Sequence, residues 1–167
     1  MSIRAILSSI FLFSYAVRGQ LTIPSVLKSL NEESIPYISV EEFAKLENTV
    51  VLDARSKEEF DVSRIGKAIW IGDKNIDPTS IGTSIPNKDS SIVVYCSIGV
   101  RSEDAAEILK AAGYSNIQNL YGGIFEWKNK GFPVYDANNQ LTENVHPFSK
   151  YWGKLLTNAR KVYSTKE

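Results

Sequence analysis

One cysteine, Cys96, and one histidine, His146, are all that this chain of 167 residues has of those two types. A single thiol excludes an internal disulfide, and the two residues together offer no ligand cluster for a metal. Net charge is missing as well. The 19 basic and 19 acidic residues cancel, and no run of like charge marks a nucleic-acid or polybasic membrane surface. There is no internal repeat and no low-complexity tract. What is present, 43% apolar and 23% charged residues, is ordinary globular composition. The length suits one domain with a sizeable core plus an appendage.

Long hydrophobic runs are also scarce, and the most prominent one is N-terminal. "MSIR" is short and basic, "AILSSIFLFSYAV" carries no charge, and "SYA" or "VRG" follows with small residues at a spacing that permits cleavage. This is the three-part pattern of a secretory signal peptide over residues 1–19. The run falls short of the ~20 residues that a membrane-spanning helix needs. A buried N-terminal helix is the alternative, but the stretch is apolar on every side. The expectation is an exported protein, periplasmic or secreted, with no stable membrane span after cleavage. Removal of the segment takes away Arg4 and Arg18 and no acid, so the mature chain stays near neutral. In an oxidising compartment Cys96 must then remain free or react with something external.

Residues 20–34 are expected to form a helical lead-in, "PSVLKSLNEE", with Pro24 in the first turn. Ser39 is a candidate cap for "SVEEFAKL". "TVVLDA" suits a strand buried on both faces of a parallel sheet. "SKEEFDVSRI" is helical in pattern with Ser56 as its cap, and "KAIWIG" is a second strand. From Asp73 to Ser90 the composition reads as a long connection with about one turn of helix. "SIVVYC" is the strongest strand. "RSEDAAEILKAAGY" is the strongest helix, with Ala105, Ile108, Leu109 and Ala112 on one face and Gly113 as C-cap. "NIQNLYGG" is a fourth strand and "GIFEWKNKG" a short helix ending at Gly131. This alternation predicts an α/β domain on a mainly parallel sheet over residues 35–135. The tail, 136–167, opens as a loop. Its Phe148, Tyr151, Trp152, Leu155 and Leu156 are spaced for one face of an extra helix packed on the domain, a partner-docking surface being the lesser reading. His146 lies in this tail with no carboxylate or cysteine near it in sequence, and reads as a loop or packing residue.

Cys96 stands at the C-terminal end of the strongest strand, where ligands of open α/β sheets collect. A small buried core residue is the bland reading of it. The segment that follows favours a reactive one: Gly99 lets the backbone curl tightly, and a helix begins at Arg101 or Ser102 with unpaired N–H groups and its positive end facing the loop. A thiol cradled by such amides has its thiolate stabilised and becomes a nucleophile. Arg101 adds a fixed charge able to hold an anion over the sulfur.

"YCSIGVRS" resembles the active-site loop of rhodanese-like sulfurtransferase domains. "VVLDARSKEEFDVSRIGKAIWI" is similar to that family's first conserved region, and "NLYGGIFEWKNKGFPV" to its closing one. Together they cover about Val50 to Val134. One departure is visible: the usual "HIxGA" stands here as "RIGKA", with Arg64 in place of the frequent histidine at a position that shapes the site entrance. The resemblance implies an α/β fold with a parallel sheet of about five strands flanked by helices on both faces. It implies transfer of a sulfane sulfur from a donor such as thiosulfate to cyanide or a thiol, the acceptor thiol including that of a protein. The sulfur would be carried as a persulfide on Cys96, held by the loop amides of Ser97, Ile98, Gly99, Val100, Arg101 and Ser102. One cysteine suffices for this, and no cofactor or metal is called for. Asp53 and Arg55 are supporting candidates, either lining the pocket or, the favoured reading, forming a pair that ties the loop after "VVLD" to the active-site segment.

Three other functions compete. Cysteine phosphatases place five residues between cysteine and arginine to wrap a tetrahedral oxyanion; Ser97 to Val100 makes four, a smaller cradle suited to a single sulfur. A non-enzymatic rhodanese-like binding module shares the fold, but the retained Cys96, Gly99 and Arg101 argue against it. A redox thiol protein would instead show sulfenic acid or a mixed disulfide on Cys96.

Overall fold

The structure is a computed structural model that describes residues 21–163; the expected signal segment at 1–19 lies outside the described residues. The alternation of short apolar runs and amphipathic segments produces a central sheet of five parallel strands: β1 (Tyr37–Ile38), β2 (Val50–Asp53), β3 (Ile69–Trp70), β4 (Ile92–Tyr95) and β5 (Ile117–Leu120). Their spatial order is β1-β5-β4-β2-β3. The strand "SIVVYC" takes the centre because it is apolar at every position, which only a strand covered on both faces tolerates. Its pleat divides the core in two. Val93 and Tyr95 point into one cluster with Leu120, Ile124 and Phe125. Ile92 and Val94 point into the other with Leu52, Ala105 and Leu109.

The helices are α1 (Ile23–Leu30), α2 (Val40–Phe43), α3 (Lys57–Val62), α4 (Pro78–Ser84), α5 (Arg101–Ala111) and α6 (Gly123–Asn129). The first two and α6 supply the first cluster, while α4 and α5 supply the second. Helices therefore flank both faces. Among the described residues no helix is long and apolar enough to cross a membrane. Thr22, Ser39 and Ser56 each close a capping box at the start of α1, α2 and α3, so these short helices have their first-turn amides satisfied locally.

The sheet has the five parallel strands expected; one of them is not legible in the sequence, and two expectations are corrected. Strand β1, the edge strand beside β5, has only two residues and no alternation long enough to be legible. On α5 the buried stripe is Ser102, Ala105, Ala106 and Leu109, while Ile108 is 38% exposed. The helix is rotated so that Ser102 faces the end of β4, and the i, i+3, i+4, i+7 set counted from Ser102 is the one that turns inward. Among its described residues the tail forms no amphipathic helix. It contributes β7 (Leu141–Thr142), which forms a hairpin with β6 (Val134–Tyr135) at the end of the domain, a parallel pair of β8 (Asn144–Val145) and β9 (Arg160–Lys161), and a single 3-10 turn, Trp152–Leu155. Phe148 has a φ of 64°, which breaks any helix there. Leu155 and Leu156 are buried, but Phe148 and Tyr151 are exposed.

Two glycines position the loop after β4. At Gly123, the first residue of α6, a Cβ would stand 2.3 Å from the Cys96 carbonyl oxygen and 2.8 Å from the Ser97 carbonyl carbon. The N-terminus of α6 thus sits directly on the loop, and the amides of Ile124 and Phe125 donate to the carbonyls of Cys96 and Ser97 at 3.0 and 3.1 Å. At Gly99, φ is 109°, a value side chains resist.

Gly123→Ala is expected to lower stability by about 3 kcal/mol, read from the urea midpoint. Gly131→Ala is its control: it shares a positive φ but an added Cβ there meets nothing within 4 Å, so only strain of about 1 kcal/mol is expected. Equal losses would show that close approach is not why Gly123 must be glycine.

Candidate active site

Cys96 directly follows β4 and is 1% exposed. The chain then folds back so that the Gly99 amide donates to Cys96 Sγ at 3.1 Å. Gly99 is clamped to do so. Its carbonyl accepts from Asn31 Nδ2 and from Asn119 Nδ2, each at 2.8 Å. One amide comes from the end of the lead-in helix and the other from β5. Ser102, in the first turn of α5, lies 3.5 Å from Sγ and 2.8 Å from Asn119 Oδ1. A hydroxyl has one proton to give, so Ser102 can donate to Asn119 while facing a thiol, or turn its proton to a thiolate. Helix α5 has Val100 at its N-cap position and therefore no side-chain cap, in contrast to α1, α2 and α3.

Arg101 is positioned by Glu59. The carboxylate accepts from Arg101 Nη1 and Nη2 at 2.8 and 2.9 Å, from Ser97 Oγ at 2.7 Å, and from the Ser56 amide at 3.0 Å. Arg101 Nη2 also donates to Ser97 Oγ at 2.9 Å, and Asp73 approaches Arg101 Nη1 at 3.5 Å. Glu59 is 1% exposed. Its burial alone would raise the carboxyl group, but the hydrogen bonds and charge of Arg101, with Arg55 and Ser97 adding to them, hold it at about 2. For Arg101, desolvation is outweighed by Glu59 and by attraction to the Cys96 sulfur, so its pKa is raised. Its charge lies beside the sulfur but is shared with two carboxylates.

Asp53 and Arg55 are fully buried behind the loop. Arg55 Nε donates to Asp53 Oδ1 at 2.9 Å and Arg55 Nη2 to the Ser63 carbonyl at 2.7 Å. Tyr95, the residue before Cys96, donates its hydroxyl proton to Asp53 Oδ2 and accepts from the Ile65 amide at 3.1 Å. Burial, with the Asp53 charge second, pushes the Tyr95 phenol well above its usual range. This network sits under the start of the loop and outside the cleft.

The cleft over Cys96 is walled by Leu30 of α1, Val100, Phe148 and Trp152, with Ser97, Ile98 and Arg101 completing it. Arg64 is not among these residues. Its guanidinium donates to Asn139 Oδ1 at 2.7 Å and lies over the Phe60 ring, and its backbone pairs with Tyr135. His146 is a loop residue whose Nδ1 accepts from the Phe148 amide at 3.1 Å. Sequence reasoning named the contiguous loop but missed Glu59, Asn119, Asn31 and the aromatic wall. Only Glu59 carried a signal, as the fourth residue of the Ser56 capping box.

The site is therefore a buried thiol at a β–α junction of a parallel sheet, wrapped by a short loop that contains Gly99. Residues 39–130, more than half of the chain, match the family model of the rhodanese-like domain, and the chain belongs to that family. It is 33% identical over 91 residues to a sulfurtransferase of Allochromatium vinosum, covering 54% of this chain and 82% of that protein. It is 28% identical over 144 residues to rhodanese-like domain-containing protein 17 of Arabidopsis thaliana, covering 78% of this chain and 91% of that one. A tRNA uridine(34) hydroxylase of Prochlorococcus marinus is 32% identical over 107 residues, or 58% of this chain, which spans only 34% of the hydroxylase. Among solved structures, a rhodanese-related protein from Thermoplasma volcanium superposes with a TM-score of 0.50 at 29% identity, covering 59% of this chain and 96% of that one.

Because the Glu59 carboxyl is held at about 2 against 4.5 for a free glutamate, its contribution is complete above the unfolded value and is lost as pH falls from 4.5 toward 2. The shift corresponds to roughly 3 kcal/mol. Urea midpoints measured down this range should show wild type losing that stability, and Glu59→Gln, already weaker at pH 7, lacking that part of the decline. Parallel curves for the two proteins would remove Glu59 as the anchor.

Proposed function

We propose that this protein is a sulfurtransferase that carries a sulfane sulfur as a persulfide on Cys96. The observation that carries the reading is the Gly99 amide aimed at Sγ from 3.1 Å at the uncapped start of α5. Such donors stabilise a negative sulfur without having to reorganise, and the same donors serve thiolate and persulfide in turn. In the first step the Cys96 thiolate attacks the outer sulfur of the donor. That sulfur's bond to the rest of the donor breaks, its electron pair leaves with the donor remnant, and a Cys96 persulfide anion forms. In the second step a nucleophilic acceptor, cyanide or a thiolate, takes the terminal sulfur and returns the thiolate.

Ser102 supports both states because its hydroxyl can accept from the thiol or donate to the anion. Asn31 and Asn119 position Gly99. Arg101 offsets the negative charge on sulfur while fixed by Glu59. Asp53, Arg55 and Tyr95 hold the strand end and touch no reacting atom. The relative named a sulfurtransferase in Allochromatium vinosum supports this activity. The reading includes export through residues 1–19, which N-terminal sequencing of secreted material checks: a start after Ala16 or Gly19 supports it and an intact Met1 contradicts it.

Intact-mass measurement after incubation with a panel of sulfane donors should show a gain of one sulfur atom on wild type and none on Cys96→Ala, and Cys96→Ala should lose transfer to cyanide altogether. No adduct with any donor, together with hydrolysis of an aryl phosphate, would establish a phosphatase instead.

A further inference from the structure

Beside the nucleophile the cleft is aromatic, and the aromatics come from outside the family segment. Phe148 and Trp152 lie C-terminal to residues 39–130, yet both line the same cleft as Cys96. Phe148 is 49% exposed, with its ring 4.8 Å from the Arg101 guanidinium carbon. Its backbone stands at a φ of 64°, a region that a bulky residue occupies at a cost of about 1–3 kcal/mol. A phenylalanine left half exposed gains little from burial to offset this cost; the strained geometry serves to put a ring on the cleft. The wall is also firmly supported. Phe148 N–H donates to His146 Nδ1, Asn129 Nδ2 donates to the Leu155 carbonyl at 2.8 Å, Leu155 and Leu156 are buried, and β8 pairs with β9.

The cleft is correspondingly unsuited to a small dianion. Arg101 is the only charged residue lining it among those described, and its charge is already shared by Glu59 at 2.8 Å and Asp73 at 3.5 Å. The cavity volume of about 140 Å³ compares with the ~10–15 Å³ that one water requires. There is room above the sulfur for a ring, and there are aromatic and aliphatic faces to receive it.

We propose that the cleft selects a sulfane donor bearing a flat apolar group next to the transferable sulfur, with Phe148 and Trp152 as specificity-determining residues. This rests on the sulfur-transfer reading above. An aryl thiosulfonate represents the class. The Cys96 thiolate attacks its terminal sulfur, the bond between that sulfur and the sulfonyl sulfur breaks, and the electron pair departs on the arylsulfinate. Two anions enter and two leave, a Cys96 persulfide and a sulfinate, with no oxidant or reductant needed. The ring stays on the leaving group, against Phe148 and Trp152, while the sulfur passes to the cradle.

The test compares kcat/KM for benzenethiosulfonate and methanethiosulfonate, which differ only in the ring, as a ratio in wild type, Phe148→Gly and Trp152→Leu. Phe148→Gly removes the ring and relieves the strained φ, so loss of folding does not confound it. The ratio is expected to fall about tenfold in Phe148→Gly and severalfold in Trp152→Leu. A wild type that acquires the persulfide from both donors but keeps the same ratio in both variants would overturn the aromatic specificity and leave the sulfur-transfer reading standing. Failure to acquire a persulfide from any donor would overturn both.

Discussion

The Glu59 carboxylate ties together the two segments that leave the C-terminal ends of the neighbouring strands β2 and β4. It closes the capping box of α3 through Ser56 and at the same time receives Ser97 and both terminal nitrogens of Arg101. Each of its oxygens is occupied. Burying a carboxylate is costly unless its lone pairs are filled and a positive charge is adjacent, and here both conditions depend on the loop adopting one shape. Removing Arg101 would leave a buried charge uncompensated. The loop is therefore held at its second and sixth residues counted from Cys96, and the residues between have little freedom left.

The remaining shape comes from glycine and asparagine. Gly123 allows the start of α6 to press against the carbonyls of Cys96 and Ser97, which turns those oxygens away from the sulfur. Asn31 and Asn119 hold the Gly99 carbonyl on the opposite side, leaving the Gly99 amide to face Sγ. Carbonyls are drawn outward and an amide inward, and that sorting of dipoles is what suits the loop to the negative sulfur proposed for it. Meanwhile the charge of Arg101 is used largely to fix the loop, and the walls above it are apolar. In the proposed reading, anion stabilisation is concentrated at the sulfur itself and the mouth of the cleft discriminates by shape.

The parts of this arrangement that are contiguous were legible. Cys96, Gly99, Arg101 and the start of α5 follow one another within a few residues, and the periodicity around them marks a strand and a helix. The parallel sheet was legible for the same reason, since "SIVVYC" and "TVVLDA" are too uniformly apolar to lie on a surface. Glu59 was legible only as half of a capping box, because its partner Arg101 is 42 residues away and no local pattern records that contact. Asn119 sits in a strand whose other residues are mostly apolar, and nothing in its neighbours shows that it reaches a helix start. The tail misled in the opposite direction. Its aromatic spacing fits a helical face, but Pro147, the positive φ of Phe148 and the pairing of β8 with β9 override that pattern. Two of the aromatics that would have faced the core, Phe148 and Tyr151, are left exposed.

The account's central claim is that the loop holds a persulfide at Cys96. A crystal structure of the protein after treatment with a sulfane donor tests this most directly. The predicted result is a second sulfur bonded to Cys96 Sγ, within hydrogen-bond distance of the loop amides at the start of α5, with the Glu59–Arg101–Ser97 contacts intact. An unmodified Cys96, or a second sulfur turned away from those amides toward Phe148, would contradict it.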